Sequence, residues 1–543
     1  MSRITISFCF TLFISFTAFS QYMDYQVSAP YPVVDAHHKE YYYANDEIMA
    51  VKVKGGLVII QKWNSLTLNE ISRKEYKDFG KGFEYEGLRE FNGKYYLFYS
   101  IWDRGAFNEQ LFVREIDFDK GTFKEKGKLL FKVDGKLATA VGRGMGAVYL
   151  YGIPLGVKGK FNIQSSSDRS WILIQYRRKP ENIRDKKNYD VIGLNAFDDS
   201  MNEIYRKEVN MPYTEYKMDN IDYTIDNAGN AHLLALVYDG ENRKRFDKEG
   251  NVMYHLELFT VLPDSEMLKV VPIEIEGKSI TELVMFNTSK GDVLCAGYYS
   301  YGSKSNSSVG GVILFKVDMN GDITELKTYD IPLEVVNMFR SDKERAKNEK
   351  KSEKGNVEMV EMGIDRLMVY DDGGILLTGE QHFVQQHTRV DAKGRVSHYY
   401  TYHYNFIFNA RIDGNGEIQW MNKLGKVQVG QRGRGDMSYA YVAGDGHHYY
   451  LFLDNIKNAD LELNEKPATH ADGKGGYFTS YKLNDESGEI SKVPTFNMRD
   501  VNGLSVSQFG VNRIIPVGPG LFCVEVYKGR KQDVMIKVNA DLN

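Results

Sequence analysis

The chain has 543 residues, of which 42% are hydrophobic, and a formal net charge of -4. That apolar content suffices for a large core, and by length alone several domains would be expected. The near-neutral charge excludes any overall electrostatic pull toward nucleic acid.

In chain order, the first element is an export signal: Arg3, an apolar stretch from Ile4 to Phe19, then Ala18-Phe19-Ser20 before Gln21. Small residues one and three positions before the cut suit a signal peptidase, so residues 1–20 are expected to be removed after Ser20. The apolar run is shorter than the roughly 20 residues that span a bilayer, and no later segment is longer. Cys9 lies inside the apolar run and not at the cut, so it does not suit lipid attachment.

From there on, short runs rich in Val, Ile, Tyr and Phe alternate with Gly, Asn and Asp clusters, as in Val312-Ile313-Leu314-Phe315 and Tyr449-Tyr450-Leu451-Phe452. This pattern predicts antiparallel strands with little helix. About eight similar units follow one another, beginning near Tyr41, Gly82, Gly159, Tyr216, Ser279, Gly363, Ser438 and Gln508. A recurring Asp-x-x-Gly punctuates them at Asp226, Asp247, Asp318, Asp371, Asp391, Asp413 and Asp485. The aspartate can bind turn amides, and the glycine can take the positive φ that closes a tight hairpin. A charged stretch from Arg340 to Lys354 reads as an exposed helix or a loop inserted between units, over about 337–358. The last unit stops early at Val534-Met535-Ile536-Lys537-Val538, which suits closure by a strand from the other terminus.

A repeat of this period belongs with propellers and other repeat arrays. The pattern looks like that of exported bacterial β-propeller proteins over nearly all the mature chain, without matching one characterised family. Gly416-Glu417-Ile418-Gln419-Trp420 resembles the quinoprotein propeller signature, but the other units lack the Trp. Ser166 to Trp171 resembles the Asp-box of sialidase-like propellers, yet the glycine of that motif is missing. Neither activity is carried over. The fold expected is thus all-β: a single propeller of seven or eight four-stranded blades, eight being preferred, over residues 21–543. Two separate all-β domains divided at the charged stretch form the competing architecture.

Cys295 and Cys523 lie in apolar strands of different units and read as buried thiols, not as a disulfide. No CxxC spacing is present, so no zinc or redox motif is indicated. Basic clusters fall where loops between second and third strands or between units are expected: Arg177, Arg178 and Lys179 with Arg184, Lys186 and Lys187; Arg243, Lys244 and Arg245; Lys393 and Arg395; Lys528, Arg530 and Lys531. On a shared face their fields would add and attract an anionic partner. Around the turn at Asp391, a hairpin pairing Asp391 with Gly394 would set His387 opposite His398 and His382 opposite His403, whereas a one-residue bulge at Gly394 would destroy both pairings. Two imidazoles without a carboxylate make a weak metal site, so no metal is expected. Gly142 to Gly146 lacks dinucleotide spacing, and Arg434-Gly435-Asp436 is too short a string to carry a role. Tyrosines number 37 and suit either sugar or peptide surfaces or half-buried strands.

No nucleophile elbow or metalloprotease helix appears, and no cofactor is expected. The resulting expectation is an exported, non-enzymatic binding or scaffolding propeller of a gram-negative cell envelope, periplasmic or at the cell surface. It would hold an envelope protein or an anionic glycan on its loop face and would not bind nucleic acid. The alternative is an extracellular polysaccharide hydrolase or lyase with its site at the mouth of a central channel.

Overall fold

In a computed structural model, the described residues are 25–139, 149–150, 153–154, 159–180, 187–240, 243–265, 267–288, 290–302, 308–355, 357–431, 437–471, 475–507 and 509–540. The expected signal peptide, Gly142 to Gly146, Arg184, Lys186 and Arg434 to Asp436 lie outside them. The described chain is all-β with two helices, Leu333–Asn337 (α1) and Asp342–Ser352 (α2). Eight sheets of four or more strands, antiparallel save for one short parallel pair in the sixth, follow one another in sequence, which makes the fold propeller-like.

The first strand of each sheet begins at His38, Phe83, Phe161, Met218, Ser279, Met362, Ala440 and Ile514. Those positions lie close to the eight unit starts read from the sequence. In the fourth sheet, for example, Met218–Ile225, Ala231–Tyr238, Tyr254–Val261 and Leu268–Ile273 pair in order, each with the next. The eighth sheet has only three strands from its own unit; Tyr25–Val27 pairs antiparallel with Gln532–Asn539 and completes it.

The uninterrupted apolar runs are explained by burial on both sheet faces, because successive side chains point to opposite sides. Cys295 packs with Leu234, Leu256 and Met285 toward the fourth sheet, while its neighbours Leu294 and Ala296 pack with Ile375, Leu377 and Phe408 of the sixth. Likewise Ile48 and Ala50 meet Cys523 and Met535 of the eighth sheet, while Met49 and Val51 meet Leu88 and Leu97 of the second. Similar apolar clusters join the second sheet to the third, the third to the fourth, the sixth to the seventh and the seventh to the eighth. Each fully buried Leu, Ile or Phe in these seams contributes about 1.5–3 kcal/mol. Both thiols are free and buried; burial pushes Cys523 up to about 12.

Polar side chains tie the first strands together across the same seams. Glu86 accepts the Lys160 amide at 2.8 Å and the Ser100 hydroxyl at 2.7 Å. Asp222 accepts the Met285 amide at 2.9 Å, and Glu282 accepts the Ile364 amide at 3.1 Å. Each acceptor sits on the first strand of one sheet; the Met285 and Ile364 amides belong to the first strand of the next, and Lys160 immediately precedes it. All three acids lie at or beside a one-residue register shift, where a bulge re-aims the side chain.

Five of the seven expected Asp-x-x-Gly turns form as read: at Asp413, for instance, the carboxylate accepts the amides of Asn415 and Glu417 and Gly416 has φ 76°. Two differ. Gly373, not Gly374, takes the positive φ, so that turn is closed by Tyr370 and Gly373. At Gly488 the amides are held by Asn484, which releases Asp485 to bind Tyr370 and His448. The charged stretch forms α2 between the fifth and sixth sheets; Ser341 and Glu344 make a capping box, and none of its residues is buried.

Candidate functional site

The four basic clusters all leave their sheets at one topological position. Arg177 to Lys179 with Lys187, Arg243 to Arg245, Lys393 with Arg395, and Lys528 with Arg530 and Lys531 lie at or in the connection from second to third strand of the third, fourth, sixth and eighth sheets. In an antiparallel sheet the first strand enters at this same end, so connections between sheets border the loops.

The cations differ in how free they are. Arg178 forms a fork with Glu208, at 2.7 and 3.0 Å, and reaches the Asp134 carbonyl. Arg177 lies 3.5 Å from Asp190. Arg243 pairs with Asp219, donates to the Glu215 carbonyl and lies over the Tyr238 ring, and Arg245 lies over Tyr254. The carboxylates offset much of this charge and use it to hold the loops. Lys179, Lys244, Arg395 and Arg530 are exposed and form no ion pair among the described residues. Behind the paired arginines, Glu215 is raised above the ordinary carboxylate range by burial and by the neighbouring Asp190.

A pocket of about 590 Å³ opens beside the Arg243 loop, lined by Asp239, Tyr254, His255, Glu274 and Lys278 among others. His255 is held at both nitrogens, 2.6 Å from Asp239 and 3.2 Å from Glu257. Burial would lower its pKa, but the two carboxylates outweigh burial and raise it. With both nitrogens turned to carboxylates, the protonated ring is favoured and no nitrogen is left open to act as a base.

A second cavity, of about 450 Å³, is lined by first-strand residues of the sixth and seventh sheets and the approach to the eighth: Asp365, Arg366, Ser438, Tyr439, Tyr441 and Asn512. Asp365 and Arg366 are exposed in it, and the Arg366 guanidinium lies 4.3 Å from the Tyr441 ring centre. Sequence reasoning missed these residues, since nothing in a single unit marks which side chains face neighbouring sheets.

The histidine pairings are corrected. Val390 pairs with Val396, and Gly394, with φ 75°, forms the bulge that shifts the register by one. Tyr399 therefore lies opposite His387, and Tyr404 opposite His382.

No family model and no curated protein matches the chain. Among solved structures, a mutant of the apocarotenoid oxygenase of Synechocystis is similar at 11% identity and a TM-score of 0.34, with 71% of each chain covered. Prolyl oligopeptidase B of Galerina marginata is similar at 8% identity and a TM-score of 0.35, over 95% of this chain and 55% of that one. An uncharacterized Listeria monocytogenes protein is similar at 9% identity and a TM-score of 0.32, with 92% and 95% covered. At such scores none of the activities in those names carries over. Among the described residues no group of three or more His, Cys, Asp or Glu could hold a metal, and no helix is long and apolar enough to cross a membrane.

Proposed function

We propose that the protein is an exported β-propeller of eight four-stranded blades and that it serves a gram-negative cell envelope as a non-enzymatic binding or scaffolding module, in the periplasm or at the cell surface. The ring reading is supported by apolar seams that run from each sheet to the next and from the eighth back to the first. It is further supported by the strand Tyr25–Val27, which completes the eighth sheet from the opposite end of the chain.

The partner is an envelope protein or an anionic glycan held on the loop face. The observation that carries this reading is the exit of four basic loops at the same topological end of four sheets, the Arg243 loop lying beside a pocket of about 590 Å³. Cations gathered around one rim raise the local concentration of an anionic partner even on a slightly acidic chain. Lys179, Lys244, Arg395 and Arg530 are the contact cations, whereas Arg177, Arg178 and Arg243 fix the loops that present them. Asp365 and Arg366 are exposed in the tyrosine-lined second cavity, which favours a binding rim over a dry catalytic centre for a polysaccharide hydrolase or lyase.

The test is retention of residues 21–543 on immobilised polygalacturonate across a salt gradient. Wild type should elute later than the combined Lys179→Gln, Lys244→Gln, Arg395→Gln and Arg530→Gln variant, and the gap should close at high salt. Retention that is absent, or that is equal for the two proteins, would sink the cationic-face reading.

A further inference from the structure

Strands Ile375–Val390 and Val396–Ile412 outrun the strand Met362–Val369 that flanks them in the sixth sheet, which reaches only to Gln381. They continue as a ribbon that Gln428–Gly430 flanks at Tyr402 to Tyr404 and that is two-stranded beyond, with its tip exposed. Alternation places Phe383, Gln385, His387 and Arg389 on the same side as their partners His403, Thr401, Tyr399 and Ser397. His387 and His403 thus share a face, although neither is opposite the other.

Their Nε2 atoms converge. His387 Nε2 lies 2.8 Å from Thr401 Oγ1, and His403 Nε2 lies 3.0 Å from the same oxygen. A hydroxyl has a single proton, so one imidazole accepts it and the other donates its own N–H to the oxygen. Both rings are held in place: His403 stacks on Phe383 at 4.4 Å and 6°, and His387 stacks on Tyr399 at 4.8 Å and 16°.

We propose that His387 and His403 form a two-imidazole site for a divalent first-row transition ion, bound most tightly as Cu2+, with water in the remaining positions. Imidazole nitrogens suit such ions, and affinity rises along the series to copper. Calcium and magnesium require oxygen ligands in number, which this face does not supply. Imidazole nitrogens sit about 2.0–2.1 Å from a zinc-sized ion, so rotation of Thr401 about χ1 vacates the position between the two Nε2 atoms that the ion would take. The other two ribbon histidines face the opposite side, where His382 stacks on Tyr404 and His398 bonds Thr388, and they provide an internal control.

Cu2+ is titrated into residues 21–543, with binding read by calorimetry and the ligand set by electron paramagnetic resonance. One ion per chain with two-nitrogen coupling is expected. His387→Ala and His403→Ala should each weaken binding by about tenfold or more, while His382→Ala and His398→Ala leave it unchanged. Thr401→Ala should bind equally well or more tightly, because the competing hydroxyl is gone. All five positions lie in the ribbon and outside the apolar seams, so far-ultraviolet circular dichroism should remain that of wild type. The proposal is overturned by the absence of binding at about 1 mM Cu2+, by binding that survives loss of either His387 or His403, by equal loss in His398→Ala, or by tenfold weakening in Thr401→Ala.

Discussion

Replacement of Lys52 by Met tests the buried ion cluster that joins the eighth sheet to the first. Glu525 is fully buried and accepts from Lys52 at 2.5 Å, Lys39 at 3.2 Å, Tyr31 at 3.0 Å and Tyr41 at 2.6 Å. Burial alone would raise its pKa, but Lys52 and then Lys39 outweigh burial and hold it at about 2, against an ordinary 4.5. That depression corresponds to roughly 3 kcal/mol of preference for the ionised form. Met preserves the stem packing against Trp63 but leaves Glu525 with one cation and two hydroxyls. Removal of one partner from a buried pair costs about 3–5 kcal/mol, and the surviving donors put this case near 3. The assay is urea unfolding of residues 21–543 at a series of pH values. A carboxylate with a depressed folded pKa gives stability that is present above pH 4.5 and lost as pH falls through about 2. The gap between wild type and Lys52→Met should therefore be widest at neutral pH and shrink across that acid window. A loss below about 1 kcal/mol, or a gap independent of pH, would refute the reasoning.

Two further outcomes follow from the same geometry. Glu282 is raised to about 8 by burial, with a smaller contribution from Asp365, so Glu282→Gln should change stability by less than about 1 kcal/mol at pH 5. A folded pKa above the unfolded one gives stability that is lost as pH rises from 4.5 through 8; wild type should fall behind Glu282→Gln in urea midpoint at pH 9, and parallel behaviour would contradict this. Ser341→Ala removes the capping box of α2, worth about 1 kcal/mol, from a helix that buries nothing. Tryptic cleavage within 342–352 should accelerate on the order of fivefold with an unchanged global urea midpoint.

The sheet boundaries were legible because each depends on local chemistry. Asp413 and Gly416 close their turn with groups a few residues apart, and Ser341 finds Glu344 within one helical turn. The ribbon shows where this legibility ends: a single positive φ at Gly394 moves each cross-strand partner from Val390 to His382 by one, so both histidine pairings expected from the hairpin are lost and His387 and His403 meet instead at Thr401. The four basic clusters were read as loops either between second and third strands or between units, and the structure puts them at the former, but the carboxylates that neutralise Arg177, Arg178 and Arg243 were not read at all. Glu208 and Asp219 lie 30 and 24 residues from their arginines, and nothing in an exposed run of cations announces such partners. The partnership of Lys52 with Glu525 spans 473 residues and exists only because the last sheet packs on the first.

These acids also bear on how function should be sought in this fold. Glu86, raised by burial to about 7, and Glu282, at about 8, have values that would suit general acids. Each is nevertheless committed to an amide of the following sheet, in a geometry shared with Asp222. The repetition identifies the role as a joint between neighbouring sheets, because a catalytic group would have to face space that a substrate can enter. Such joints commit acceptor atoms of the first strands to contacts between sheets. Variation is thereby left to the ends of the sheets, where loops and the sixth-sheet ribbon carry charge and imidazole beyond the packed core. Chemistry specific to this chain is accordingly expected at the loop rim and along the ribbon, rather than at the buried carboxylates whose shifted pKa values first draw the eye.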